Sequence, residues 1–218
     1  MSGRAFSFAA GNDLLLAKLH HGTAWYLSNG PKARAAAQAY ATSAEHARKA
    51  GSDRDVAWAL HGLSELKARV LDADGRELAI ESRDLFAAAG SRTGWSLAQN
   101  VIAEFEKLDG NWDEAERLFA LSAGTLQNVG SVVESLVRGR FAVFYFARGD
   151  DKNALIQALR AKECMGPKMS FPARLHTDLV LMKLAPAEAT RQEHREIARA
   201  LIARTQFYHP DFELFGEI

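Results

Sequence analysis

Residues 108–119 read Leu108-Asp109-Gly110-Asn111-Trp112-Asp113-Glu114-Ala115-Glu116-Arg117-Leu118-Phe119. Upstream of Gly110, apolar residues fall at Trp95, Ala98, Val101, Ile102, Phe105 and Leu108. Downstream they fall at Trp112, Ala115, Leu118, Phe119, Ala123 and Leu126. Steps of three and four place each set on one face of a helix. Gly110 suits the left-handed residue that ends a helix, and Asn111 offers a side-chain acceptor to the next one. Asp113, Glu114 and Glu116 follow in the first turn, where the helix dipole favours negative charge. The stretch therefore predicts a helix, a tight turn and an antiparallel helix. Trp112 reads as core: a buried Trp removes ~150–250 Å² from water, and truncation to alanine would cost ~3–5 kcal/mol.

Weaker copies of the stretch recur. Ala142 and Tyr145 precede Gly149 and Ala154 follows it; Tyr26 precedes Gly30 and Ala35 follows; around Gly75 the alanine comes one residue early, at Ala79. A second glycine series, Gly51, Gly90, Gly130 and Gly166, is spaced at 39, 40 and 36 residues. Periods of 20–50 residues signal solenoids, because each hairpin needs neighbours to bury its apolar face. The spacing Gly110-x-Trp112-x-x-Ala115-x-x-x-Phe119, with Ala103 seven residues upstream of Gly110, resembles the tetratricopeptide repeat (TPR). The period is longer than that repeat's usual length and is similar to the long-helix variants of bacterial regulators of the maltose-activator kind. The resemblance spans roughly residues 11–205. It implies an all-α, right-handed αα-superhelix of about five hairpins.

The chain reads as a single helical-repeat domain over residues 1–218, with hairpins at about 12–50, 53–89, 93–129, 131–165 and 171–205 and a tail at 206–218. In the first helix Leu14, Leu15, Ala17, Leu19, Ala24, Trp25 and Leu27 are expected inward. In the second, Ala33, Ala36, Ala37, Tyr40, Ala44 and Ala47 imply close helix packing. In the last pair Pro186 replaces the turn glycine, and Glu188, Arg191, Glu193, Arg195, Glu196 and Arg199 give the final helix the polar outer face of a solenoid cap. The tail carries Phe207, Tyr208, Phe212, Leu214 and Phe215 among Asp211, Glu213 and Glu217. It is expected to fold back onto the last repeat.

The totals narrow the function classes. With 27 basic and 27 acidic residues the net charge is zero, which argues against direct nucleic-acid binding. One cysteine cannot form an internal disulfide, so a reducing, cytoplasmic setting is expected. The apolar run near the N-terminus is too short for a signal peptide, and no segment has the length of a membrane span.

No phosphate loop, dinucleotide fingerprint, His-Glu-x-x-His zinc motif or paired Glu-x-x-His occurs. Gly90-Ser-Arg-Thr-Gly94 is not a nucleophile elbow, since its serine is misplaced. His61 and Glu65 stand one helical turn apart, and the bland reading is a helical side-chain pair. His20 and His21 point to different faces of one helix and cannot chelate together. Cys164, near a helix C-terminus, reads as a structural thiol. Arg191, Arg195 and Arg199 read as a solvated face, and Phe141–Phe146 as core. No catalytic residue, cofactor or metal is expected.

The resemblance implies that the first helix of each hairpin lines a concave groove. Counting back from the turn glycines assigns to it His20 and Ala24, Glu65 and Arg69, Asn100, Glu104 and Lys107, then Leu136, Val143 and Phe146. A mixed charged and apolar lining suits a peptide or helix of a partner protein. A non-catalytic protein-interaction module in a bacterial regulatory or scaffolding role is the leading expectation. An effector-sensing domain cut from a larger transcriptional regulator is the alternative, and an enzyme ranks third. The apolar fourth hairpin is suited to pairing two copies as a homodimer.

Overall fold

The computed structural model describes residues 11–127, 132–164, 171–207 and 209–216, and among them every regular element is helical. The helices are α1 (Asp13–Ser28), α2 (Ala33–Lys49), α3 (Asp53–Arg69), α4 (Gly75–Ala88), α5 (Arg92–Leu108), α6 (Trp112–Thr125), α7 (Val132–Ala147), α8 (Asp151–Glu163), α9 (Phe171–Leu184) and α10 (Glu188–Thr205). A 3₁₀ turn, Pro210–Phe215, follows. Contacts divide the chain into two compact units, Met1–Leu108 and Asp109–Ile218. The division falls within the turn of the quoted stretch.

In the first unit α1 packs on α2, α3 on α4, and the first helices α1, α3 and α5 pack successively on one another. One device repeats within the two hairpins. Ser43 Oγ donates to the Ala17 carbonyl at 2.8 Å, and Ser82 Oγ donates to the Ala57 carbonyl at 2.8 Å. Donors and acceptors each recur after about 40 residues, the repeat length expected of a solenoid. Buried hydroxyls satisfied in this way let the alanine-lined helices approach closely. In the second unit α7 packs on α8 and α9, and α9 packs on α8 and α10. Gly139 marks the α7–α9 crossing, where an added Cβ would lie 3.3 Å from both the Ala173 carbonyl and the His176 Cβ.

Three helices end alike. Gly51, Gly90 and Gly149 adopt φ of 66°, 65° and 80°, and the next residue's N–H reaches back to the Ala47, Phe86 and Tyr145 carbonyls respectively. This is the Schellman closure, in which a left-handed residue satisfies the last carbonyls. The end of α3 makes the same closure, Asp72 N–H to Lys67 carbonyl at 2.9 Å, around Leu71 at φ 58°. Gly75, expected as that turn's glycine, is instead the first residue of α4, where an added Cβ would meet the Phe105 ring at 2.6 Å. The irregular copy thus splits two tasks between Leu71 and Gly75. Because a non-glycine residue in the left-handed region costs ~1–2 kcal/mol and Leu71 is mostly exposed, Leu71→Gly is expected to stabilise the chain by about 1 kcal/mol in urea denaturation. A destabilisation of that size would show that the exposed leucine packs against something.

Several local expectations need correction. Trp112 is 36% exposed: at the first position of α6 its side chain points back past the helix start, and one face meets the Phe144 ring at 5.7 Å. Trp25 and Tyr26 are 58% and 77% exposed. The inward stripe of α1 is Ala17 and Ala24, and residues one and two beyond Ala24 rotate away by about 100° and 200°. Leu14 is exposed as well. Asn111 is the N-cap of α6, but its side chain makes no capping bond; Asn12 and Asp150 do, accepting from Leu15 N and Asn153 N at 3.0 Å. Gly130 and Gly166 lie outside the described residues.

Candidate functional site

In the first unit the first helices of the hairpins are α1, α3 and α5. On α1, His20 stacks flat on His46 of α2 at 5.6 Å between ring centroids, and His46 Nδ1 lies 2.7 Å from Asp13 Oδ1. Partial burial and then His46 hold the His20 pKa below the usual histidine value. On α3, Arg69 Nη1 donates to the Ser28 carbonyl at 2.8 Å, tying the end of α3 to the end of α1. Glu65 Oε2 lies 3.7 Å from His61 Nε2, the one-turn helical pair. Tyr40 of α2 sits beside Ser28, Glu65 and Arg69; burial first, opposed by its bond to Ser28, pushes its pKa up to about 12. Asn100, Glu104 and Lys107 of α5 are buried, with Lys107 Nζ 2.6 Å from Glu104 Oε2. Glu65 and Arg69 share one neighbourhood, Glu104 and Lys107 another, and Ala24 is buried.

Between α1, α2 and α3 lies a cleft of about 300 Å³, lined by Ala17, Lys18, His21, Gly22, Ser43, Asp55 and Trp58. His21 Nδ1 has no hydrogen-bond partner there, and desolvation, partly offset by Asp55, lowers its pKa.

In the second unit the first helices are α7 and α9, and the tail lies on both. Val143 is buried, Leu136 is half-buried, and Phe146 stacks on Phe215 of the tail at 4.7 Å and 10°. Phe212 and His209 bring their rings to His176 of α9, at 6.5 and 5.4 Å. His176 is buried; its Nδ1 donates to the Pro172 carbonyl one turn back at 2.8 Å, so Nε2 is the unprotonated acceptor, and it has no partner. Desolvation, reinforced by His209 and Arg140, holds its pKa well below the ordinary value. His176 is therefore neutral when folded and takes up a proton near 6.5 when unfolded. The unfolded chain binds more protons below that pH, so stability is full above about 6.5 and falls with further acidification. The urea midpoint is expected to be lower at about pH 5.5 than at about pH 7.5, and His176→Asn, which can keep the bond to Pro172, is expected to flatten that slope. An unchanged slope in the variant would assign the effect to His20 and His21 instead.

Sequence reasoning missed the buried polar links of this unit. His194 Nδ1 of α10 lies 2.6 Å from Asp178 Oδ1 of α9, and its Nε2 lies 3.3 Å from Lys162 Nζ of α8. Burial raises the Asp178 pKa, with the His194 bond opposing. The chain ties three helices together and places a lysine, not a hydroxyl or thiol, at the far imidazole nitrogen. Burial, then Glu134, raises the Cys164 pKa, the opposite of a reactive thiol. Arg191 closes the α9–α10 turn by donating to the Ala185 carbonyl at 2.6 Å and pairs with Glu188. Among the described residues no group of three metal-ligating side chains converges, and no helix is long and apolar enough to cross a membrane.

No protein-family model matches the chain, and no curated protein matches it significantly. Solved structures do. The crystal structure of BtubC (BKLC) from P. vanneervenii is similar with a TM-score of 0.62 at 17% identity, covering 95% of this chain and 89% of that one. A putative kinesin light chain of nearly identical TPR-like repeats from Podosopora anserina is similar with a TM-score of 0.55 at 17% identity, covering 88% of this chain and 99% of that one. A singly substituted form of the same protein gives the same score and identity, with 98% of that chain covered. The fold is a TPR-like helical repeat. Within the second unit the tail packs on α7 and α9, each the first helix of its hairpin, and covers Phe146.

Proposed function

We propose that this TPR-like chain is a non-catalytic interaction module that binds a segment of a partner protein on its first helices. The observation that supports this most is the seat of the tail: α7 and α9 hold a short segment through ring packing on Phe146 and His176. Helical grooves that take peptide segments work this way, with a few buried aromatic anchors carrying most of the energy. Of the remaining assigned positions, His20, Glu65 and Arg69 are partly accessible and are the first-unit residues we assign to partner contact. Asn100, Glu104, Lys107 and Val143 act from beneath the surface, setting the shape of the face. A regulatory or scaffolding role in a bacterial cytoplasm, and pairing of two copies, belong to this reading.

The test is capture of partners on the immobilised full chain, followed by hydrogen exchange of the complex. Protection concentrated on first helices supports the reading. Protection confined to α2, α4, α8 and α10, or turnover of a captured small molecule, overturns it.

The cleft of about 300 Å³ supports a second reading, a small effector bound beside His21 and Asp55 as in sensor domains of the maltose-activator kind. It sits at the lower end of ligand-pocket sizes. A metabolite at about 100 times its Kd would stabilise the chain by about 2.7 kcal/mol. A thermal-shift screen without any such ligand removes this reading and leaves the first untouched.

A further inference from the structure

The path of the tail is unusual for a mere end cap. A cap covers the outer side of the last hairpin, whereas this segment crosses α9 to reach α7, a helix of the preceding hairpin. Helix α10 ends in Gln206 at φ 53°, a left-handed non-glycine residue whose N–H bonds to the Ile202 carbonyl at 2.7 Å. This reverses the chain and sends Phe207 inward. His209 caps the 3₁₀ turn by accepting from Asp211 N at 3.3 Å, which presents Phe212 and Phe215, three residues apart, as buried anchors. Glu213 and Leu214 face outward. Beneath the anchors, the unpartnered His176 Nε2 is a buried acceptor that the tail does not satisfy. An orphaned buried acceptor costs free energy, so the tail is an imperfect occupant of its own seat.

Building on the interaction reading, we infer that the α7–α9 face is a peptide-docking surface kept closed by the tail, through Phe207 and residues 209–215. Its partner is a segment of another protein with two aromatic side chains three residues apart, an adjacent acidic residue, and a hydrogen-bond donor for His176 Nε2. The acid takes the place of Asp211, whose Oδ2 now lies 3.5 Å from His209 Nδ1 and which, like Arg140 of α7, acts electrostatically on His176. Such a segment outcompetes the tail by satisfying the acceptor that the tail leaves bare. The occupant competes with a covalently tethered segment, so docking is weak until the tail is displaced.

A fluorescein-labelled peptide of residues 206–218 serves as the probe, with binding read by anisotropy. The intact chain is expected to bind it weakly, and Phe212→Ala/Phe215→Ala to bind it at least about tenfold more tightly. Adding Phe146→Ala to that variant is expected to abolish the gain. Should the double variant fail to fold, a specific protease site inserted after Gln206 lets the tail be cut from the folded chain. The cut chain is expected to keep its helical circular dichroism and cooperative melting and to exchange its tail for the probe. Equal binding by intact and released chains, or loss of cooperative melting on cutting, overturns the inference. Partner-induced protection on α1 and α3 alongside either failure would leave the interaction reading standing. Probe exchange without any captured partner would sink that reading while leaving the tail's exchangeability intact.

Discussion

Phe119→Ala is expected to lower the stability of the chain by about 3–5 kcal/mol, read from the urea midpoint at about pH 7.5 with an unchanged m-value. Phe119 is fully buried on α6, stacked on Phe141 at 5.6 Å and 14° and tilted against Phe144 at 5.1 Å. Truncation removes a ring from between two others on α7. Close packing leaves little room for collapse, so a cavity term adds to the transfer term. The ring pairs add ~0.5–1.5 kcal/mol each beyond their area. Trp112, nearer Gly110 in the motif's other aromatic slot, keeps a third of its surface in water. Its truncation is expected to cost less than half as much as that of Phe119. If the two losses were equal, or their order reversed, Trp112 would be the real wedge, and the core of this unit would be centred elsewhere than on the Phe119–Phe141–Phe144 cluster.

That pair of residues shows what the sequence could and could not say. Apolar spacing of three and four, with glycines that can turn left-handed, is a local signal. It locates the helices and the turns at Gly110 and Gly149, both at φ 80°. The repeat period is legible for the same reason, since every hairpin solves the same burial problem. Spacing gives position along a helix axis, however, and not the rotation of that helix against its neighbours. Trp25 and Tyr26 match by position yet face water. Counting back from a turn glycine places Arg69 and Lys107 on first helices, yet one is tied to the Ser28 carbonyl and the other to Glu104. At the irregular copy the count starts from Gly75, although the turn itself is made by Leu71. Phe146 is assigned to the groove, but its contact with Phe215 joins residues far apart in sequence and leaves no trace in any local pattern. The Asp178–His194 link is equally invisible, because a 2.6 Å contact depends on how α9 and α10 are turned.

The same limit governs the second large effect. Glu134 and Arg138, four residues apart on α7, would pass on sequence alone for a solvated helical pair worth a few tenths of a kcal/mol. In the fold both are buried, with Arg138 Nε 2.8 Å from Glu134 Oε1 and its Nη1 donating to Gln157 of α8 at 3.1 Å. Removing one partner of a buried pair leaves the other's charge uncompensated in a poorly polarisable setting, so Glu134→Ala is expected to cost about 3–5 kcal/mol. Glu134→Gln keeps an acceptor for Arg138 while losing the charge, and is expected to fall between wild type and alanine. The double replacement Glu134→Leu/Arg138→Met is expected to be less damaging than Glu134→Ala alone, because well-packed apolar side chains avoid the desolvation that the ion pair must offset. High salt is expected to change none of this order, since screening acts on exposed charges far more than on buried ones. A Glu134→Ala loss below about half a kilocalorie per mole would place the pair in the exposed class. It would mean that water reaches this side of α7, and the packing of α7 against α8 would have to be redrawn around it.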